Sequence, residues 1–104
     1  MIRVIVSYPN NPGARFDEGY YLSSHMPMVQ ERLGRHGMTG WSVDKGLGGM
    51  VPGSPAEFVM QAHLLFETLE GLQAGMAAEA AAILADIPNY TDLQPSIQIN
   101  QVLR

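Results

Sequence analysis

The sequence contains no cysteine among its 104 residues. This absence excludes disulfide frameworks, thiolate metal sites, cysteine-bound iron–sulfur clusters and thiol nucleophiles, and it fits a reducing compartment. Charged residues are also scarce, at 15%, whereas 46% of the residues are hydrophobic, a balance typical of a globular fold. A chain of this length is expected to form one domain, residues 1–104, whose core needs neither metals nor disulfides.

Positive charge is absent from most of the C-terminal half of the chain. No Lys or Arg occurs between Lys45 and Arg104, and the formal net charge is −4. Because binding to phosphate requires clustered positive charge, we expect no nucleic-acid partner.

Long apolar runs are absent as well. No segment approaches the roughly 18 uninterrupted apolar residues that predict a membrane-spanning helix, so we expect no membrane association. Residues 1–6 form an alternating apolar segment, which lacks the basic start and the long apolar run of a signal peptide. These features predict a cytoplasmic location.

Four segments have the β-branched or alternating composition that is typical of β-strands. They cover residues 2–8, 39–49, 58–66 and 93–103. The third segment is apolar on almost every residue, which predicts a strand that is covered on both faces. Clusters of Pro, Gly, Asn and Asp separate the strands from their neighbours and predict turns.

Two segments have helical spacing of their apolar residues. The first, at about residues 17–35, begins at the candidate N-cap Asp17 and contains Pro27, which removes a backbone hydrogen bond and predicts a kink. The second is capped by Thr68, is rich in alanine and ends at Pro88. Its predicted apolar stripe comprises Leu69, Leu72, Met76, Ile83, Leu84 and Ile87.

The order βαββαβ predicts an α+β fold of ferredoxin-like type, with a four-stranded antiparallel sheet and two helices on one face. No helix remains to cover the other face of that sheet. Because the first and third strands carry apolar side chains on both sides, we expect a second copy of the chain to cover this face in a homodimer.

Several residues of the first helix and the strands resemble the EthD family of the dimeric α+β barrel superfamily. The most specific element is Tyr-x-x-x-His-x-Pro, which starts at Tyr21; Gly40-Trp41, Phe66-Glu67 and the closing strand extend the resemblance over nearly the whole chain. The resemblance implies a homodimer whose two sheets close into a barrel, with a small-molecule pocket between the sheet and the helices of each subunit. The family takes its name from an ether-degradation gene cluster. The superfamily includes cofactor-free monooxygenases, muconolactone isomerases and haem enzymes, so the resemblance implies a fold more directly than a reaction.

His25 and Tyr21 are the candidate catalytic residues. They are four residues apart on the predicted inward side of the first helix, within reach of one another, and the proline that opens the backbone follows two residues after His25. Burial lowers the pKa of a histidine, and a neutral imidazole is suited to taking a proton from a substrate. The alternative is that His25 is a core histidine bonded to a backbone carbonyl and that Tyr21 is a buried phenol with a structural partner.

Large apolar residues on the elements that should face the pocket are candidate substrate-binding residues. They are Met26, Trp41, Met60, Phe66 and Met76. Membership of the ordinary core is the alternative for each of them. The strand alternation places His63 on the opposite side of its strand, and we interpret it as a residue of the open sheet face or the dimer interior.

No metal site is expected, because the three histidines lie on different elements without the spacing of a ligand set. The run Gly46-Leu47-Gly48-Gly49 lacks the Lys-Ser/Thr ending and following helix of a phosphate-binding loop, so it predicts a turn. The interpretation is therefore a protein that uses no cofactor.

Three functional hypotheses remain from the sequence. The first is an enzyme of small-molecule catabolism in which His25 transfers a proton on a small apolar substrate, as an oxidoreductase of monooxygenase type without a cofactor or as an isomerase or dehydratase. The second is a non-catalytic accessory or carrier protein for an apolar metabolite, favoured by the scarcity of polar groups in the predicted pocket. The third is haem binding through His25 or His63, which predicts a Soret band.

Overall fold

The computed structural model describes residues 1–104, and its elements follow the predicted order. They are β1 (Ile2–Pro9), α1 (Glu18–Tyr20), a π-helical turn (Tyr21–His25), α2 (Met26–Gly34), β2 (Met38–Lys45), β3 (Phe58–Phe66), α3 (Leu69–Asp86), a 3₁₀ turn (Ile87–Asn89) and β4 (Ser96–Gln101). The segment α1, the π-turn and α2 together form the first predicted helix. None of the helices is long and apolar enough to span a membrane.

The four strands form one antiparallel sheet in the order β2-β3-β1-β4, which confirms the predicted ferredoxin-like fold. Val4 in β1 lies opposite Leu64 in β3 and Ile99 in β4, so these side chains share the face that the helices cover. Two strands are shorter than predicted. β2 ends at Lys45, before the glycine-rich run, and β4 begins only after Pro95, which has no N–H to donate to a ladder.

The kink predicted at Pro27 takes the form of a wide turn instead. The N–H of Met26 donates to the carbonyl of Tyr21, five residues earlier, which is the hydrogen bond of a π-helix. Pro27 follows directly after this turn, whose extra residue widens the helix where the proline ring would otherwise crowd the preceding turn. The helix therefore continues through the proline.

The predicted N-caps are both present. The side chain of Asp17 accepts a hydrogen bond from the N–H of Tyr20 at 3.1 Å, and Thr68 accepts one from the N–H of Gly71 at 3.0 Å.

The apolar stripe predicted for the second helix, α3, is only partly correct. Leu72 is buried and Met76, Ile83 and Ile87 pack against the core, whereas Leu69 and Leu84 are exposed.

The core lies between the helices and one face of the sheet, where Phe66 and Leu33 are among the fully buried side chains. The other face of the sheet carries both apolar and polar residues. It carries Ile5, Val59 and Leu65, but also polar pairs: Gln61 donates to Ser7 at 3.1 Å, and His63 lies 2.9 Å from Asp44. Apolar side chains therefore lie on both sides of β1 and β3, as the sequence predicts, with Gln61 and His63 as the polar exceptions in β3.

Candidate functional site

His25 is the last residue of the π-turn, and its side chain is buried between the first helix and α3. Its Nδ1 lies 2.8 Å from Oδ2 of Asp86, the last residue of α3. Its Nε2 lies 3.2 Å from the hydroxyl of Tyr90. Both nitrogens of the imidazole ring are therefore held by side chains that follow much later in the sequence.

Asp86 is itself held in place by two donors on its other oxygen. The hydroxyl of Tyr20 donates to Oδ1 at 2.6 Å, and the side-chain amide of Asn89 donates to the same atom at 2.9 Å. An ionised carboxylate can only accept hydrogen bonds, so the Nδ1 of His25 must carry the proton that bonds to Oδ2. In the neutral ring Nε2 is then an acceptor, and it receives its hydrogen bond from Tyr90.

A second phenol extends this arrangement. The hydroxyl oxygens of Tyr8 and Tyr90 are 2.6 Å apart. Since Tyr90 donates its proton to His25, Tyr8 must donate to Tyr90. The result is a continuous hydrogen-bonded series of Asp86, His25, Tyr90 and Tyr8, which we call the buried chain.

The environment of the buried chain shifts the pKa values of His25 and Asp86. Burial lowers the pKa of His25, and the hydrogen bond and charge of Asp86 offset this effect only in part. Partial burial by itself would raise the pKa of Asp86, but hydrogen bonds from Tyr20, Asn89 and His25 outweigh it, so the pKa lies below its usual value. At neutral pH the imidazole is therefore neutral and the carboxylate is ionised.

The tyrosines of the site remain protonated under all ordinary conditions. Burial is the largest cause of the raised pKa of Tyr8, of Tyr21 and of Tyr90, because it disfavours the phenolate. These hydroxyls can thus donate hydrogen bonds and relay protons, but they do not hold a stable negative charge.

A cavity of about 70 Å³ lies between the sheet and the helices, beside the buried chain. It is several times larger than the roughly 10–15 Å³ that one water molecule requires. His25, Tyr8 and Tyr21 are the lining residues with polar side chains, and the remaining lining is apolar. The position agrees with the pocket implied by the family resemblance, and the surroundings suit a small apolar ligand.

The predicted ligand-binding residues divide into two groups. Met26 and Met76 line the cavity. Met60 and Phe66 are buried in the core, while Trp41 is half-buried on β2 and packs against the core, and none of these three lines the cavity. A role in ligand binding stays a prediction for all five residues.

Tyr21 lies next to His25, as the four-residue spacing predicted. The two rings stack with centroids 5.7 Å apart and an angle of 15° between their planes. The hydrogen bonds to the imidazole nitrogens come from Asp86 and Tyr90, so Tyr21 supports the ring by packing. Tyr21 also contributes to the lining of the cavity.

Sequence reasoning missed Asp86, Tyr90 and Tyr8. One signal for Asp86 was available: a carboxylate in the last turn of a helix opposes the helix dipole, so its presence there needs another reason. Tyr8 follows Val4 and Val6 on the inward side of β1, a position where a phenol must find a hydrogen-bond partner. Tyr90 lies in the segment that the sequence predicts as a turn, and nothing in its neighbours indicates that it is buried.

His63 lies outside this site. Its Nε2 bonds to Asp44 on the open face of the sheet, as the strand alternation predicted for its side of β3. No group of three or more His, Asp or Glu side chains is arranged to hold a metal ion.

The shifted pKa values predict how stability depends on pH. The pKa of His25 is lower in the folded protein than in the unfolded chain, so the unfolded chain binds this proton first as the pH falls below about 6.5. Stability should therefore decline in this range and continue to decline at lower pH, as protons also bind to Asp86. We expect a melting temperature that is highest at or above neutrality.

Melting curves of the protein and of His25→Asn, recorded between about pH 8 and pH 4, test this expectation. The variant should lack the first decline, below about pH 6.5, and should keep the later one. Identical pH profiles of the two proteins would show that His25 is not responsible.

Known proteins resemble this chain in sequence and in structure. The family model that describes the EthD domain matches residues 14–94 of the chain. No curated protein sequence matches. The structure is similar to that of an EthD-like protein from Ralstonia eutropha JMP134, with a TM-score of 0.93 and 44% identity, covering 99% of this chain and 92% of that one.

More distant structures share the fold. An ethyl tert-butyl ether (EthD) family protein from Bacillus halodurans C-125 has a TM-score of 0.74 and 19% identity, with 99% of each chain covered. An antibiotic biosynthesis monooxygenase has a TM-score of 0.56 and 8% identity, with 100% of each chain covered.

Proposed function

Because the chain belongs to the EthD family, we propose that it binds a small apolar molecule in the cavity between sheet and helices and transfers a proton on it through His25. The observation that supports this proposal is the buried chain, which connects an ionised carboxylate through a neutral imidazole and two phenols to an apolar cavity. Such a chain is a pathway along which a proton can move from the cavity to the imidazole, where Asp86 offsets the positive charge that forms.

The direction of the hydrogen bonds defines the proton transfer. A C–H or O–H group of the substrate that contacts Tyr8 gives its proton to the phenol oxygen, while Tyr8 passes its own proton to Tyr90 and Tyr90 passes one to Nε2 of His25. The substrate keeps the electron pair as an enolate or phenolate, and His25 becomes an imidazolium. Asp86 stabilises that imidazolium through the hydrogen bond at Nδ1, and the reverse sequence returns the proton.

The lining of the cavity restricts the substrate. A charged molecule would lose its hydration without gaining an ionic partner, so a neutral and mostly apolar compound is favoured. A carbonyl or phenol group on it would make the proton acidic enough to be removed. Deprotonation is the first step shared by isomerisation, dehydration and oxygenation by molecular oxygen without a cofactor, so the proposal covers these reaction classes.

Hydrogen exchange tests proton transfer without knowledge of the natural substrate. The protein is incubated in heavy water with small apolar ketones, including acetophenone and indanone, and incorporation of deuterium next to the carbonyl is followed by NMR. We expect exchange that requires the protein and increases with its concentration. Binding of the ketones without exchange, across the set, would contradict catalysis.

A non-catalytic carrier is the second candidate, and one observation favours it. Both nitrogens of His25 already bond to protein groups, and few polar atoms reach the cavity to stabilise a developing charge. A carrier would bind the ketones, show no exchange and keep its affinity in the His25→Asn variant.

We also propose that the chain acts as a homodimer whose open sheet faces pack together. This face is not covered by a helix, and it contains Ile5, Val59 and Leu65 among its polar residues. Packing two such faces removes this apolar area from water, and the polar pairs Gln61–Ser7 and His63–Asp44 are already hydrogen-bonded within each chain. An interface of obligate type should bury roughly 2,000 Å² or more in total.

Sedimentation equilibrium at micromolar concentration tests the homodimer. The expected particle has twice the mass of the 11.3 kDa chain. A stable monomer at that concentration would contradict the proposal.

A further inference from the structure

We propose that the loop of residues 46–57 from a second copy of the chain covers the mouth of the cavity, so that each site is completed by its partner. This inference rests on the proposed cavity function and on the homodimer. It goes beyond both, because it assigns a named segment of the partner to the site.

The loop between β2 and β3 has a definite structure. The N–H of Gly46 donates to the carbonyl of Val59, and the N–H of Gly49 donates to that of Ser54 at 3.0 Å. The hydroxyl of Ser54 donates to the carbonyl of Val51 at 2.6 Å. A Cβ atom at Gly46 would collide with the carbonyl of Phe58, so glycine is required there. The loop is thus an ordered extension of the hairpin.

This ordered loop exposes apolar side chains to an unusual degree. Leu47 is 95% exposed and Met50 is 99% exposed, and Val51 is also largely exposed. Hydrogen bonds within the loop fix its backbone, and none of these three side chains belongs to the core of its own chain. A cluster of exposed apolar side chains on a structured loop is typical of a surface that another molecule covers.

A second exposed apolar surface lies at the mouth of the cavity. Leu84 and Ile97 line the cavity, and each is about half exposed, so the cavity opens between α3 and the edge strand β4. Ile99, two residues further along the same side of β4, is half exposed as well. The opening is therefore surrounded by apolar side chains, and an apolar cover would stabilise the protein by removing them from water.

The sheet register relates these two surfaces. Lys45 at the end of β2 lies opposite Met60, which lies opposite Tyr8. The neighbouring Ser7 lies opposite Ser96, where β4 begins. The loop and the mouth of the cavity are therefore at the same end of the sheet, but at its two opposite edges.

A two-fold axis that runs parallel to the strands, between two packed sheets, brings these edges together. It places β2 of one copy beside β4 of the other, keeps both at the same end and gives the two strands antiparallel directions. The loop of one copy then meets Leu84 and Ile97 of the other. Both free edges of the sheets also find a partner, which closes the pair into a barrel.

An axis perpendicular to the strands would instead place β2 beside β2 and β4 beside β4. The loops would then lie at the end of the sheet away from the partner's cavity, and the exposed side chains of both surfaces would stay in water. The complementary apolar surfaces therefore favour the axis parallel to the strands. A cover over the mouth would also exclude water from the buried chain. The hydrogen bonds within the buried chain would then be stronger, because they would lie in a medium of lower dielectric constant.

Chemical cross-linking tests the arrangement, and the absence of natural cysteine leaves no background. Met50→Cys and Leu84→Cys chains with different tags are co-expressed and treated with a short bismaleimide. The mixed pair should cross-link roughly tenfold faster than a control pair of Met50→Cys with Arg35→Cys, an exposed position near the other end of the sheet. Equal rates, or faster coupling of Met50→Cys with itself, would overturn the proposal.

A second measurement connects the loop to the site. Leu47→Ser, Met50→Ser and Val51→Ser are combined in one chain, where they touch no core residue. The affinity for acetophenone should fall by roughly tenfold, while the melting temperature changes little. Unchanged affinity would contradict a cover at the mouth. If the unmodified protein binds no ketone, the cavity function fails, whereas the cross-linking result still decides where the loop lies.

Discussion

Replacing His25 by asparagine is expected to reduce the rate of ketone hydrogen exchange about 10²–10⁴-fold while the protein remains folded. Asparagine is close to histidine in size and can keep a hydrogen bond to Asp86, but its amide cannot accept a proton at neutral pH. The exchange rate and the melting temperature are measured on the same preparation. Because the rest of the buried chain is unchanged, the loss isolates the imidazole.

His36→Asn provides the matched control for this variant. It is the same substitution at a histidine in the turn before β2, which neither lines the cavity nor lies on the open face of the sheet. Its exchange rate should equal that of the unmodified protein. If His25 only supports the core, His25→Asn should lower the free energy of unfolding by roughly 1–3 kcal/mol and leave exchange intact. An active but destabilised His25→Asn protein would remove His25 from the site.

Replacing Phe66 by alanine is expected to lower the free energy of unfolding by about 3–5 kcal/mol. Phe66 is completely buried at the end of β3, and it does not line the cavity, so removing its ring leaves a void that the neighbouring side chains cannot fill. Chemical denaturation followed by fluorescence of Trp41 measures the change. A loss of this size is a large part of the stability of an average domain.

Trp41→Ala, with unfolding followed by circular dichroism, gives the comparison. Trp41 is only half-buried, so its removal should destabilise the protein less than that of Phe66. The sequence assigned both residues to ligand binding, and this pair of variants tests that assignment. A Phe66→Ala protein that melts normally but no longer binds ketones would show that Phe66 belongs to the site after all.

The fold could be predicted from the sequence because its signals are local. Alternation along β1 and β3, the N-caps at Asp17 and Thr68, and the prolines and glycines between the elements each depend on neighbouring residues. Together they limited the chain to one topology. The open face of the sheet is visible in the same alternation, because Gln61 and His63 interrupt the apolar residues on one side of β3.

Only the residues that the first helix contributes to the candidate site could be predicted. His25 and Tyr21 are close in the sequence, and a repeating helical pattern shows that they share a face. Their partners are 61 and 65 residues away from His25, since Asp86 and Tyr90 arrive through the packing of α3 and the turn after it. No local pattern encodes such a distance. The carboxylate of Asp86 at the end of α3 is the feature of the sequence that could have indicated such a partner.

The π-turn determines which side chains can act on one carboxylate. Tyr20 and His25 are five residues apart, and they bind the two oxygens of Asp86. In an α-helix, residues at this spacing point about 140° apart, so they could not reach the same group. In a turn closed by a hydrogen bond over five residues this angle is much smaller, so both side chains reach Asp86. The site therefore depends on the number of residues in this turn as well as on their identities. If the same residues formed an ordinary α-helical turn, the phenol of Tyr20 and the imidazole of His25 would separate, although every functional side chain would still be present.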